Sequence, residues 1–279
     1  MGQRGLRIGV VSYLNARPLC YGLDARLTSG RCVFDVPSRL AEMLAVGAVD
    51  VALIPSIEYL REARRGRRYA IVPGISIAAR GPVRSVKLFA RVPWAEVERL
   101  ALDEGSRTSQ ALARVWLAEA HGVRPAVVES LPLGVSPLES TADAVMVIGD
   151  RAMGVPRGAF ERGVDLGEAW FELTGLPFVF AFWVARRDVE LGSLPRVLLE
   201  CKARGLARAE ELAREHGPRL GLTVAEGVEY LTRSLSYDLG DAELAGLRLF
   251  ARKASAMGLC PEGVDLVFID RCRDLAPRR

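Results

Sequence analysis

Short apolar runs alternate with helical patterns through most of this chain, and that alternation restricts the fold more than any other feature. Apolar stretches at 6–11, 32–36 and 50–54 each lead within a few residues into helical spacing, from about Pro18, then over 37–44, then over 55–60. Proline at 37 and 55 suits the first turn of a helix, where its missing N–H has no partner to lose. Strands joined through helices over short connections predict a largely parallel α/β sheet. A second set follows: extended chain at 85–91 and 100–102, a long helix over 106–121, and strands at 126–128 and 144–148. The run 178–185 is apolar throughout and reads as one more buried strand. Beyond it the pattern is helical, over 194–216, 224–234 and 241–257. Two α/β units with a helical tail predict two lobes and a central cleft.

Sheets of this kind bind ligands at the carboxyl ends of their strands, where Ser12, Asn15 and Ser56 fall. Ser106-Arg107-Thr108-Ser109-Gln110 follows Gly105 and opens the long helix. Hydroxyls and free N–H groups at the positive end of a helix dipole hold a carboxylate or phosphate well. Ser and Thr are equally the ordinary caps of helices that bind nothing, and both readings stay open here. Three polar helix starts, two in one unit and one in the other, favour a grip on a small, multiply charged acid. Asp150, at the end of the strand over 144–148, either lines the same cleft or caps the helix after it. Arg17 either meets an anion or lies on the surface. Of the aromatic groups Trp170-Phe171 and Phe178 to Trp183, most read as core, and Trp170 is kept as a cleft candidate.

Several kinds of chemistry find no residues to support them. The two histidines, His121 and His216, stand at helix ends away from the polar strand ends. There is no His/Cys ligand cluster, no dinucleotide or phosphate-loop glycine spacing, and no G-x-S-x-G elbow. The sequence therefore predicts neither a cofactor nor a metal. A net charge of +4 on 38 basic and 34 acidic residues, with no basic stripe, argues against nucleic acid as a partner. The one basic cluster, Arg64-Arg65-Gly66-Arg67-Arg68, reads as a solvated turn. Five cysteines without a C-x-x-C pair suit a reducing compartment. The first residues, MGQRGLRIGVVSYLN, lack the apolar core of a signal peptide, and no stretch is long enough to span a membrane. A cytoplasmic location away from membranes is expected; the oligomeric state is left open.

Val11-Ser12-Tyr13-Leu14-Asn15 with Pro18-Leu19 resembles the N-terminal signature of the chorismate dehydratases of the futalosine route to menaquinone. Leu53-Ile54-Pro55-Ser56-Ile57-Glu58-Tyr59, Ser106-Arg107-Thr108-Ser109, Ile148-Gly149-Asp150-Arg151-Ala152 and Asp165-Leu166-Gly167-Glu168-Ala169-Trp170 follow in that family's order. The resemblance covers the chain to about residue 186, and the helical tail is less distinctive. It implies a type II periplasmic-binding-protein-like fold whose first lobe holds 1–88 plus 183–279 and whose second holds 89–182. It implies a hydro-lyase that removes water from chorismate to give 3-[(1-carboxyvinyl)oxy]benzoate. Asn15, Ser85 and Asp150 are then the catalytic candidates, and Ser12, Tyr13, Ser56, Ser106, Arg107, Thr108, Ser109 and Trp170 would bind substrate. An amide such as Asn15 does not titrate usefully, so its role would be to orient or polarise. The proton acceptor would be the substrate's own enolpyruvyl carboxylate, with Asp150 as the alternative. The pathway's 1,4-dihydroxy-6-naphthoate synthase and a non-catalytic binder of small anions are the rival readings.

Overall fold

The computed structural model describes residues 5–27, 30–62 and 68–269, with the side chain of Asp150 outside that description. Arg64, Arg65, Gly66 and Arg67 of the basic cluster, and Cys272, also lie outside the described residues. Arg68, the last of the basic cluster, is paired with Glu62 at 2.8 Å.

The first sheet contains β1 (Arg7–Val11), β2 (Arg31–Asp35), β3 (Val51–Pro55), β4 (Tyr69–Ala79) and, from much later in the chain, β10 (Phe178–Arg186), in the order β2-β1-β3-β10-β4. The second contains β5 (Val86–Ala90), β6 (Arg99–Asp103), β7 (Val127–Leu131), β8 (Ala144–Ile148) and β9 (Arg162–Asp165), in the order β7-β6-β8-β5-β9. The two sheets are built alike. In each, three strands run parallel (β2, β1 and β3; β7, β6 and β8), and an antiparallel strand is laid against the third. The expectation of largely parallel sheets is thus corrected to mixed ones. The antiparallel members, β10 and β5, are the strands by which the chain enters each sheet from the other, β5 directly after β4 and β10 after α5.

Residues at the sheet centres explain the apolar runs: every residue of β3 and β8 is buried, as is all of β10 but its last. The expected lobe boundaries at 88/89 and 182/183 cut through β5 and β10. All of β5 pairs within the second sheet and all of β10 within the first, so the crossings fall at 80–85 and 166–177.

Helices cover the sheets: α1 (Pro37–Ala45), α2 (Ser56–Glu62), α3 (Arg107–His121), α4 (Gly149–Met153) and α5 (Leu166–Thr174), then the tail of α6 (Leu194–Ala207), α7 (Ala209–His216), α8 (Val224–Glu229) and α9 (Asp241–Ala256). The tail packs back on the first sheet, α6 on the segment after β1 and α9 on β10.

Two expectations fail for local reasons. The helix expected from Pro18 is a 3-10 stretch, Leu14–Cys20, with Pro18 inside it. A proline within an α-helix removes a hydrogen bond and clashes with the preceding turn. The helix expected over 194–216 breaks at Arg208, three residues after Gly205. Strand β4, for which the sequence carries no expectation, has Pro73-Gly74 in its middle, with Gly74 at φ 77°. As an edge strand it tolerates a residue without an N–H.

Candidate active site

The carboxyl ends of strands from both sheets meet at one slot. Tyr13 and Asn15 follow β1, Pro55 ends β3, Ser106 and Ser109 stand at the start of α3 after β6, and Gly149 follows β8. Ser85 reaches the slot from the first crossing, just ahead of β5. Val11, Ile77 and Phe180 supply apolar wall. About 500 Å³ of space between atoms, part of it open to solvent, lies at the slot, and only about 40 Å³ is wide enough for water.

Tyr13 follows β1 of the first sheet and leans on turns of the second. Its ring lies 3.5 Å from where a Cβ would stand on Gly149, and its hydroxyl 3.0 Å from the same point on Gly105. Gly149 also has φ +61°, so a side chain there meets backbone strain and the tyrosine together.

The amide oxygen of Asn15 is shut away from solvent and has no hydrogen-bond partner. Leaving such an acceptor unsatisfied costs about 1–3 kcal/mol. An acceptor held bare at a slot wall is suited to a hydroxyl brought in by a ligand.

Ser106 is both things the sequence left open. Its side chain caps α3 by accepting from the N–H of Ser109 at 3.4 Å, and it lines the slot. Its Oγ lies 3.0 Å from that of Ser109, so two hydroxyls sit together at the positive end of a 15-residue helix.

Ser85 is held from several sides. Its N–H donates to the carbonyl of Val83 at 2.8 Å, its carbonyl accepts from Gly149 at 2.7 Å, and its Oγ accepts from the Tyr230 phenol at 2.9 Å. The residue before it, Arg84, has φ 64°, a left-handed backbone that costs a non-glycine residue about 1–3 kcal/mol. Asp165 holds that turn in place by accepting from the N–H groups of Val83 (2.9 Å) and Arg84 (2.6 Å) while capping α5 through Gly167 and Glu168. Burial pushes the Asp165 carboxyl up, and those four N–H groups pull against it.

The other expected site residues lie elsewhere. Ser56 and Thr108 are fully buried behind the slot: Ser56 donates to the carbonyl of Val179 at 2.8 Å, and Thr108 accepts from the N–H of Ile57 at 3.1 Å. Arg107 pairs with Glu42 and with Glu58, the latter at 3.0 Å. Ser12 is tied through its backbone, its N–H to Asp35 and its carbonyl to Arg17. Arg17 itself lies over the Phe34 ring. Trp170 is core, edge-on to Phe178 and Phe250. Asp150 is the second residue of α4, beside Gly149, and its side chain is outside the described residues.

Sequence reasoning passed over Tyr230 and Asp103. Asp103, buried at the end of β6, accepts from Gly105 (2.8 Å), Ile148 (3.1 Å) and the Arg151 guanidinium (2.6 Å). It thereby joins the strand ends that carry Ser106 and Gly149. The Arg151-Ala152 motif and the Asp103-Glu104-Gly105 turn were both visible, but their pairing was not.

No histidine, lysine, arginine or carboxylate is found among the described residues that line the slot. His121 packs against Trp94 and Trp116, and burial lowers its pKa. No group of three His, Cys, Asp or Glu side chains among the described residues is placed to hold a metal.

Two sheets of matching topology, with a slot where their strand ends meet, define a two-lobed protein of the periplasmic-binding-protein fold. The backbone superposes on a crystal structure from Archaeoglobus fulgidus with TM-score 0.71 at 16% identity, covering 93% of this chain and all of that one. It matches the periplasmic aliphatic sulphonate binding protein of Escherichia coli with TM-score 0.61 at 16% identity, over 94% and 90% of the two chains. The pattern of a menaquinone biosynthesis family matches residues 6–256, and the chain belongs to that family. A chorismate dehydratase of Thermus thermophilus is 34% identical over 90% of this chain and 95% of its own length. A 1,4-dihydroxy-6-naphtoate synthase of the same organism is 28% identical over 70% of each.

Proposed function

We propose that this chain is a chorismate dehydratase, a carbon–oxygen hydro-lyase acting in the cytoplasm on the futalosine route to menaquinone. The proton on the ring carbon that bears the enolpyruvyl ether leaves, its electron pair forms the new ring double bond, and the hydroxyl on the neighbouring carbon departs as hydroxide, which then takes up that proton to give water. The ring of the product, 3-[(1-carboxyvinyl)oxy]benzoate, is aromatic, so the driving force resides in the substrate. What the protein must do is hold two carboxylates, orient one C–H bond and assist one departing hydroxyl.

The observation that carries this reading is the bare Asn15 amide oxygen in a slot whose described lining offers hydroxyls and N–H groups but no general base. Ser106, Ser109 and the start of α3 receive a carboxylate. Asn15 accepts from the substrate hydroxyl and aligns it for departure, with Ser85 as a donor to the oxygen that leaves. The enolpyruvyl carboxylate takes the proton intramolecularly, an arrangement able to recover about 7–11 kcal/mol of barrier through positioning. The first lobe holds the first sheet with the helical tail, the second lobe the second sheet with α3 to α5, and the two part to admit substrate. Cys20, Cys32, Cys201 and Cys260 are free thiols, as suits a reducing compartment. No helix among the described residues is long and apolar enough to cross a membrane.

Incubating the purified protein with chorismate and following products by mass spectrometry tests the assignment. The expected result is a new species lighter by one water. Chorismate recovered unchanged excludes the activity. Conversion of the naphthoate synthase's substrate instead would move the chain to that second reading, which the 28% identical relative supports.

A further inference from the structure

Two consecutive residues of the first crossing are held by two consecutive residues of the helical tail. The Arg84 guanidinium meets Glu229 at 2.8 Å, and the Ser85 hydroxyl accepts from the Tyr230 phenol at 2.9 Å. Tyr230 and Ser85 are 2% and 1% exposed, so their bond is sheltered from competing water. At Tyr230 the tail changes form: Tyr230–Ser234 is a π-helix directly following α8. Such wide turns are uncommon, and they occur often at functional sites.

From this we propose that Tyr230 is a positioning residue for the dehydration, setting the direction of the Ser85 O–H bond. This rests on the chorismate reading given above. A serine hydroxyl carries one proton and turns freely, so its function depends on where that proton points. Tyr230 donates to Ser85 Oγ, which prevents the Ser85 proton from pointing at the phenol. Without substrate the Ser85 hydroxyl donates to the carbonyl of Val83, at a long 3.4 Å that makes the bond weak. A substrate oxygen in the slot that Ser85 lines is then the stronger acceptor, and binding draws the proton from Val83 toward it. Accepting one hydrogen bond also polarises the hydroxyl and strengthens the one it donates. Ser85 is thereby set as a donor, the form needed to stabilise negative charge gathering on a departing hydroxyl oxygen. The turn held by Asp165 fixes the Ser85 backbone, and Tyr230 fixes its proton.

The test is a double-mutant cycle on turnover of chorismate with Tyr230→Phe, Ser85→Ala and the pair, alongside thermal unfolding of each. Tyr230→Phe keeps the ring and removes only the hydroxyl. We expect kcat to fall about tenfold, KM to stay within about twofold, and the unfolding temperature to move little. In the Ser85→Ala background the same substitution is expected to change kcat no further. Unchanged kcat in Tyr230→Phe overturns the proposal, as does a loss of the same size with Ser85 absent. A Tyr230→Phe protein that fails to fold also overturns it, since the hydroxyl would then be structural. A wild-type protein that leaves chorismate untouched overturns the dehydration and the proposal together, whereas an active wild type with an indifferent Tyr230→Phe removes the positioning role alone.

Discussion

Asn15 holds a buried acceptor without a partner, which a residue selected for stability alone would not do. Replacing it by alanine removes about 1–3 kcal/mol of unmet desolvation while losing a small amount of packing. The expected Asn15→Ala protein therefore unfolds at the same temperature as wild type or higher. Its kcat falls about 100-fold, the usual scale for removing one oriented polar group from a reacting centre, and KM changes much less. Differential scanning calorimetry and initial-rate kinetics on the same preparation check both halves. A stability loss together with normal turnover would return Asn15 to a structural role. Asn15 and Tyr13 could be picked out because they follow a short apolar strand closely, and Ser106 and Ser109 because they open a long helix after a glycine. Tyr230 and Asp103 were not legible. Their roles depend on partners far along the chain, Ser85 for the one and Arg151 for the other, and no local pattern encodes such a meeting.

At the level of elements, strands with uninterrupted apolar runs could be read directly, and β3, β8 and β10 lie within a residue or two of where the sequence places them. Where the expectations fail, a proline or glycine inside the segment marks the place. Strand β4, for which the sequence carries no expectation, runs through Pro73-Gly74, and the run through Arg208 reads as one helix but is two. The start of α3 combines both outcomes. Ser106 and Ser109 face the slot, while Thr108, between them, turns to the back and accepts from Ile57 at the start of α2. A helix places successive side chains about 100° apart, so a Ser-Arg-Thr-Ser stretch cannot present every member to one ligand. Thr108→Val keeps the shape and deletes the acceptor, leaving the Ile57 N–H buried and unpaired. Urea unfolding is expected to show a loss of about 1–3 kcal/mol with an unchanged slope, while KM for chorismate stays at its wild-type value. A rise in KM without the stability loss would place Thr108 on the substrate.

For the whole molecule, the structure is that of lobes drawn together. Tyr13 reaches Gly149 and Gly105, the N–H of Ser38 donates to the carbonyl of Gly105 at 3.3 Å, and Arg107 of the second lobe pairs with Glu42 and Glu58 of the first. The 40 Å³ wide enough for water holds about three water molecules, too little for a ring bearing two carboxylates and an ether. Binding substrate therefore requires the lobes to stand further apart than this. Contacts between them stabilise a state that excludes substrate, and a ligand shifts that balance only by its preference for the wider state. Arg107 then acts opposite to a binding residue. Its two ion pairs are partly exposed, so each contributes only about 0.2–1 kcal/mol to closure. Arg107→Gln is expected to lower KM for chorismate about two- to tenfold, with the difference shrinking at high ionic strength as the wild-type pairs are screened. Small-angle scattering of the unliganded protein should show a larger radius of gyration for the variant. The sign of the KM change decides between the roles: if Arg107 gripped a substrate carboxylate, as its place in the helix-start motif first implied, KM would rise.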